Sequence, residues 1–206
     1  MENTRRLGFL ASLGLVIVGV VYASVVVFGI SQVGFDKPIT DPILALMEAI
    51  TMVSALFIVI LLAVICCIAS PEQKIFGVLA LTFGAIMAGL TTTVHFVTLT
   101  AGRQTNFTTL EWPSTLYAVE LLAWNVFLGL ALVFAAPIFT GSKLQTRARY
   151  SLFIAGSLCL LGTIGPVMGN MALQRIGIVG YGIALPISCI FLAQVFYRDG
   201  ETESPI

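Results

Sequence analysis

The chain has 206 residues, of which 58% are hydrophobic and only 10% are charged. Soluble domains carry about 25% charged residues, so this composition excludes an ordinary water-soluble fold and indicates a membrane protein. Ten basic residues balance ten acidic ones, which also excludes the excess of positive charge that is typical of nucleic-acid-binding proteins.

Six long apolar segments follow one another along the chain. Each has the length, about 20 residues, that an α-helix needs to cross a hydrocarbon layer roughly 30 Å thick. The segments do not alternate apolar and polar residues as the strands of a membrane β-barrel do. The predicted spans are residues 7–31, 43–69, 75–100, 114–138, 150–169 and 175–197. The sequence therefore predicts an all-α, multi-pass membrane protein, in which residues 1–206 form one six-helix transmembrane domain with short loops.

The basic residues predict the orientation of the bundle. Seven lie on the side that holds both termini and three on the opposite side: Arg5, Arg6, Lys74, Lys143, Arg147, Arg149 and Arg198 against Lys37, Arg103 and Arg175. By the positive-inside rule, both termini are cytoplasmic. We therefore expect an integral protein of the plasma membrane or the bacterial inner membrane. The sequence Asn106-Phe107-Thr108 is an N-glycosylation acceptor on the predicted outer side.

Three ionisable residues lie inside the predicted spans, where a charged group costs at least a few kcal/mol and is usually kept for a function. Glu48 is six residues beyond Pro42, Glu120 is seven beyond Pro113, and His95 is five before Thr100. At 1.5 Å per residue, all three lie roughly 7 to 11 Å below the outer ends of their helices. We therefore predict a common polar layer with these residues as acid/base candidates. The alternative is a purely structural hydrogen-bond network.

The helical periodicity predicts which faces point into the bundle. In the third span, small residues share a stripe with His95, which favours close helix approach there. In the fourth span, Tyr117, Glu120 and Trp124 follow a 3-4 spacing and so share one face. The candidate ligand-binding residues are Thr91, Tyr117, Trp124, Asn125 and Arg175. For Arg175 the alternative is a side chain extended to the lipid headgroups, and for Thr91 and Asn125 it is hydrogen bonding between helices.

Several chemistries lack their sequence signatures. There is no lysine deep in a span for a retinal Schiff base, and the phosphate-loop, H-E-x-x-H and G-x-S-x-G motifs are absent. A single histidine excludes bis-histidine haem ligation within the chain, and two Glu with one His lack the further ligands of a di-iron-type site. We therefore predict no metal and no cofactor. Pro166 and Pro186 fall within apolar runs and predict local bends.

The leading hypothesis is a polar pocket in the outer half of the bundle that binds a small amphipathic molecule, such as a lipid, a sterol-like compound or a quinone, or acts on it by acid/base chemistry. One alternative is a proton-coupled small-molecule transporter that uses the same acids. Another is a non-catalytic subunit of a larger membrane complex or oligomer. The expected partners are membrane lipids and the small ligand, with no nucleic acid, and the sequence leaves enzyme and binding protein open.

Overall fold

The computed structural model describes residues 2–34, 37, 39–105 and 112–201. The described chain is all-helical and contains no strand. It has six helices long and apolar enough to cross a membrane, which confirms the six-helix prediction: α1 Glu2–Val33, α2 Ile43–Ile68, α3 Pro71–Gly102, α4 Thr115–Ile138, α5 Lys143–Val167 and α6 Met171–Arg198. The glycosylation acceptor at Asn106 lies outside the described residues.

The helices extend beyond the apolar runs where polar residues continue the helical hydrogen bonding. α5 begins at Lys143, two turns before the predicted apolar span. Its start is fixed by Ser142, whose hydroxyl accepts a hydrogen bond from the backbone N–H of Gln145 at 3.2 Å. Such a cap satisfies one of the four N–H groups that a helix start leaves without a partner.

Successive helices run in opposite directions, so the bundle has two ends. The terminal end holds both chain termini, and there the side chain of Gln73 donates to the carbonyl of Pro137 at 2.9 Å. The opposite end, called the distal end below, holds the connection from α5 to α6. This turn is tight because Gly169 adopts a φ of +65°, which favours glycine, and the side chain of Asn170 accepts from the backbone N–H of Ala172 to cap α6.

The six helices form a ring in chain order, with each helix packed on the next and α6 packed on α1. Toward the terminal end, the interior of the ring is filled by buried apolar side chains. Among them are Leu62, Ile65, Leu132 and Leu192, each at most 2% exposed. This half of the bundle is a close-packed core.

α6 changes its neighbours partway along its length. Its segment Met171–Val179 packs on α5, whereas its segment Leu185–Glu201 packs on both α1 and α5. The change occurs at a π-helical turn, Gly180–Ala184, which is followed by Pro186. Both features interrupt regular α-helical hydrogen bonding and are the usual places where helices bend. As a result, the distal half of α6 lies close to α5 and leaves space beside α1.

Candidate functional site

A cavity of about 520 Å³ occupies the distal half of the ring. Residues of α1, α2, α3, α4 and α6 line it, and most of its wall is apolar. Leu15 and Ile58 close it toward the terminal end, and both are buried. Val18 of α1 and Ile178 of α6 also line it. The space therefore begins where the apolar core stops and lies next to the gap between α1 and the distal half of α6.

The polar part of the wall is built around one carboxylate oxygen. Glu120 Oε1 lies 3.0 Å from Nε2 of His95 and also accepts a hydrogen bond from the indole N–H of Trp124. A hydrogen bond between Nε2 and Oε1 needs one proton, and we assign it to His95, because Oε1 already accepts the Trp124 N–H. These two N–H donors use both lone pairs of Oε1.

Two atoms of this group have no hydrogen-bond partner among the described residues. They are Nδ1 of His95 and Oε2 of Glu120. The His95 side chain is only 6% exposed and that of Glu120 only 13%. With the proton on Nε2, both unpartnered atoms are acceptors. Because a buried acceptor without a donor costs about 1–3 kcal/mol, the site favours a ligand or solvent group that can donate.

Aromatic side chains surround Glu120. Tyr22, Tyr117 and Trp124 line the cavity together with Tyr181. The rings of Trp124 and Tyr181 are in contact, with centroids 5.3 Å apart and planes inclined by 54°. The hydroxyls of Tyr22 and Tyr117 both lie within electrostatic range of the Glu120 carboxylate. One acid is thus enclosed by four aromatic rings.

Two of these rings come from π-helical turns. Trp124 lies in the turn Leu122–Phe127 of α4, and Tyr181 lies in the turn Gly180–Ala184 of α6. A third π-helical turn, Thr98–Gly102, follows His95 in α3. Single π-helical turns within α-helices are rare and occur frequently at functional sites. All three lie in the distal half of the bundle, near the cavity.

Glu48 belongs to a neighbouring cluster and does not line the cavity. Its carboxylate is almost fully buried and lies 3.5 Å from Nη1 of Arg103. The guanidinium of Arg103 also donates two hydrogen bonds of 2.7 Å to the carboxylate of Asp41. Glu48 remains within electrostatic range of His95. The three predicted acid/base residues therefore lie near one another, but only His95 and Glu120 are in contact and face the cavity.

The bidentate pair of Asp41 and Arg103 shifts the pKa of both groups. The hydrogen bonds from Arg103 hold the pKa of Asp41 below its ordinary value of 3.8. The same hydrogen bonds, which Arg103 donates to the Asp41 carboxylate, raise the pKa of Arg103 above its ordinary value. Since Asp41 precedes α2 and Arg103 follows α3, this pair ties two helix ends together at the distal surface.

The other predicted ligand-binding residues do not all reach the cavity. Tyr117 and Trp124 line it, whereas Thr91, Asn125 and Arg175 do not. Thr91 is fully buried and its hydroxyl faces the sulfur of Met87 at 3.8 Å. Asn125 is also fully buried and its side chain packs on Gly177 of α6. Arg175 lies on an exposed face of α6.

The described residues contain no group of three or more His, Cys, Asp or Glu side chains arranged to hold a metal ion. The four cysteines are free thiols: Cys66, Cys67, Cys159 and Cys189. The polar groups of the cavity wall are consequently one imidazole, one carboxylate, an indole N–H, three phenols and two hydroxyls. The hydroxyls belong to Thr51 and Ser54 and donate to backbone carbonyls within α2.

Sequence reasoning missed Tyr22, Tyr181, Arg103 and Asp41. Tyr22 and Tyr181 both stand in otherwise apolar stretches at about the middle of their helices, so an inventory of all hydroxyl-bearing residues at mid-span would have found them. Arg103 was counted only as a loop charge. No sequence pattern indicates that it turns back to reach Glu48, since that depends on the π-helical turn before it.

Comparison of the chain with family models, with curated proteins and with solved structures found no match.

Proposed function

We propose that this chain is an integral membrane protein that binds a small amphipathic molecule in the distal half of its helical bundle. The apolar wall of the cavity holds the body of the molecule, and the His95–Glu120 pair hydrogen-bonds its polar head. Both termini are cytoplasmic in this proposal, so the cavity lies in the outer leaflet of a plasma membrane or bacterial inner membrane. The observation that carries it is a 520 Å³ cavity with a mostly apolar wall, in which the ionisable side chains His95 and Glu120 form one hydrogen-bonded pair.

The position of the cavity supports entry from the lipid phase. The distal half of α6 lies against α5, and α1 packs on α6 only toward the terminal end. An added Cβ at Gly19 of α1 would lie 3.7 Å from Pro186 of α6, which follows the π-helical turn. Beyond it, toward the distal end, the cavity is bordered by α1 and α6 residues such as Tyr22 and Ile178. An amphipathic molecule in the bilayer would reach His95 and Glu120 between these two helices.

The His95–Glu120 pair also provides acid/base chemistry. A neutral imidazole can accept a proton at its unprotonated nitrogen, while a carboxylate bonded to its other nitrogen orients the ring. The free Nδ1 of His95 is the position at which a proton from a bound hydroxyl or amine would be accepted. Binding and proton abstraction thus use the same atom.

The structure favours binding over proton-coupled transport. A transporter needs access to its site from both membrane faces in turn. In the terminal half of the bundle, the described interior residues are mostly apolar and close-packed, with Leu62, Ile65 and Leu192 at 0–1% exposure. The buried polar residues there include Ser12 and Ser188, which are not ionisable. The ionisable groups at the site are all in the distal half. We therefore expect the ligand to reach the cavity from the distal side or from the lipid phase, and not from the terminal side.

A cavity-filling variant tests the proposal. An added Cβ at Gly19 meets only Pro186, at 3.7 Å, and Gly19 lines the cavity, so Gly19→Leu places its side chain in the cavity mouth. Gly89 of α3 is a matched control, because nothing lies within 4 Å of an added Cβ there. The wild type, Gly19→Leu and Gly89→Leu are purified with native lipids, and bound molecules are identified by native mass spectrometry.

We expect a molecule at about one per chain in the wild type and in Gly89→Leu, and its loss in Gly19→Leu, since a filled cavity excludes its ligand. An identical set of bound lipids in all three proteins would contradict the proposal.

A further inference from the structure

We propose that the polar head accepted by the cavity is a protonated amine, so that the ligand class is an amphipathic alkylamine. This inference rests on the proposed function and narrows it. Three independent features of the cavity lead to it: the hydrogen-bonding roles of its polar atoms, the sign of its charge, and the arrangement of its aromatic rings.

The first feature is that the free hydrogen-bonding atoms of the His95–Glu120 pair are acceptors. The N–H groups of His95 and Trp124 both point to Oε1 of Glu120 and are therefore used. Nδ1 of His95 and Oε2 of Glu120 have no partner among the described residues. Both atoms are buried, so a donating head reaches them when the side chains of His95 and Glu120 shift toward the cavity. A head with only carbonyl oxygens, such as that of a quinone, leaves both unpaired. An ammonium group carries up to three N–H donors.

The second feature is the sign of the charge. Among the described residues that line the cavity, Glu120 is an acid, His95 is the one group that can become cationic, and there is no lysine or arginine. The nearest arginine, Arg103, is held by Asp41 and Glu48 outside the cavity wall. An anionic head would therefore have no permanent counter-charge. A cation next to Glu120 would replace the solvation that it loses on leaving water.

The third feature is the aromatic enclosure of Glu120. The faces of tryptophan and tyrosine rings attract cations within about 6 Å of their centroids. Trp124 and Tyr181 are packed at 5.3 Å and both line the cavity, as do Tyr22 and Tyr117. Aromatic rings of this kind are the groups by which proteins recognise alkylammonium ligands, and here they line the same cavity as a carboxylate. A neutral hydroxyl would gain nothing from the ring faces.

The remaining wall determines the rest of the ligand. Most side chains beyond the polar cluster are aliphatic, including Val26, Val27 and Ile183. Val27 and Ile183 are also 67% and 58% exposed at the outer surface of the bundle. A hydrocarbon chain attached to the amine can therefore lie along α1 and α6 and continue into the lipid phase. This favours a single-chain amine over a compact polar one.

The experiment uses Trp124 as a reporter within the cavity. The chain contains two tryptophans, so Trp112→Phe leaves Trp124 as the sole source of indole fluorescence. The full-length Trp112→Phe protein is placed in phosphatidylcholine nanodiscs and titrated with dodecylamine, which is protonated at neutral pH, and with dodecanol, which has the same chain. The same protein carrying Gly19→Leu gives the signal that arises from partition into the lipid alone.

We expect saturable binding of dodecylamine that is at least about tenfold tighter than that of dodecanol, the ratio that one charge-assisted hydrogen bond supports. Glu120→Gln should weaken dodecylamine binding by at least about tenfold and change dodecanol binding by less than about twofold. If Glu120→Gln does not fold, the comparison of the two ligands on the Trp112→Phe protein decides alone.

A smaller preference for the amine would overturn this inference and leave the proposed function in place, provided that Gly19→Leu still abolishes binding of both probes. Absence of any saturable signal that depends on Gly19 would contradict the proposed function as well. The two failures are therefore distinguishable in one set of titrations.

Discussion

The rings of Trp124 and Tyr181 pack against each other with their centroids 5.3 Å apart, and each ring comes from a π-helical turn. A π-helical turn has longer hydrogen-bonded loops than an α-helical one and shifts the residues after it around the helix axis. In α4 it follows Glu120 and contains Trp124, whose N–H then reaches the Glu120 carboxylate. The π-helical turns of α4 and α6 thus contain two of the aromatic residues at the polar end of the cavity.

Trp124→Phe should destabilise the protein. The substitution keeps an aromatic ring but removes the N–H that donates to Oε1 of Glu120, which lies in a largely buried side chain. Loss of a hydrogen bond to a charged group costs about 1.5–3 kcal/mol. Unfolding in mixed micelles of increasing dodecyl sulfate content measures the change.

Trp112→Phe is the control for this variant, because Trp112 is 37% exposed at the distal end, and we expect a change of less than about 0.5 kcal/mol. Equal effects of the two substitutions would mean that the Trp124–Glu120 hydrogen bond does not contribute to stability.

His95 and Glu120 should be energetically coupled. They lie in different helices and share a 3.0 Å hydrogen bond, so each single substitution leaves the other group without its partner. In a double-mutant cycle with His95→Gln and Glu120→Gln, we expect a coupling free energy of about 1–3 kcal/mol. The exposed Glu72 offers a control: His95→Gln combined with Glu72→Gln should be additive within about 0.5 kcal/mol. Additivity of the His95 and Glu120 substitutions would contradict the pairing.

The sequence was sufficient to predict the six helices and the depth of the polar residues. Both depend on local quantities, namely the length of apolar runs and the rise of 1.5 Å per residue. The stripe in α3 that contains Gly84, Thr91 and His95 was also predictable, because a 3-4 spacing places residues on one helix face, and all three are buried.

The separation of Glu48 from the cavity could not be predicted in this way. Glu48 and Glu120 lie at similar depths but have different partners. Glu48 pairs with Arg103, and Glu120 pairs with His95. That difference depends on which helices are adjacent and on the π-helical turn Thr98–Gly102 that precedes Arg103. Neither is a property of a single segment, since apolar periodicity carries no information on ring order or on one-residue bulges.

The pair of Asp41 and Arg103 should contribute stability that depends on pH. The pKa of Asp41 in the folded protein is lower than its ordinary value of 3.8, so the folded state binds this proton less readily than the unfolded state. The contribution is therefore fully present above the ordinary pKa and is lost as the pH falls through the lowered one.

Thermal unfolding of the wild type and Asp41→Asn measures this contribution. We expect the wild type to be more stable at about pH 6 and the difference to shrink as the pH falls below the ordinary pKa of 3.8. A difference that is constant across this range would show that the carboxylate of Asp41 is not paired in solution.

Removing Arg103 should be more damaging than removing a surface arginine. Arg103→Gln leaves the carboxylate of Glu48, which is 2% exposed, without its cation. Loss of a hydrogen bond to a buried charged group costs about 1.5–3 kcal/mol. Arg175→Gln is the matched control, because Arg175 is exposed at the same end of the bundle.

The double variant Arg103→Gln/Glu48→Gln should recover part of the loss, since the unpaired charge is then removed together with its partner. If the double variant is less stable than Arg103→Gln by the full cost of Glu48→Gln alone, the two residues are not coupled.

Gly162→Ala should loosen the contact between α5 and α6 that keeps the distal half of α6 away from α1. An added Cβ at Gly162 would lie 2.6 Å from both Cα and N of Gly177. Backbone atoms cannot move aside as a flexible side chain can, so the helices must separate. Overpacking of this kind costs about 1–3 kcal/mol.

Gly89→Ala provides the opposite case, because nothing lies within 4 Å of the added Cβ and alanine is favoured over glycine in a helix by up to about 1 kcal/mol. We therefore expect unfolding measurements to show destabilisation by Gly162→Ala and a neutral or stabilising effect of Gly89→Ala. Separated helices would also move Tyr181 relative to Trp124, so Gly162→Ala should change the Trp124 emission in a Trp112→Phe background. A stable Gly162→Ala protein with unchanged emission would show that close packing of α5 and α6 does not position the cavity wall.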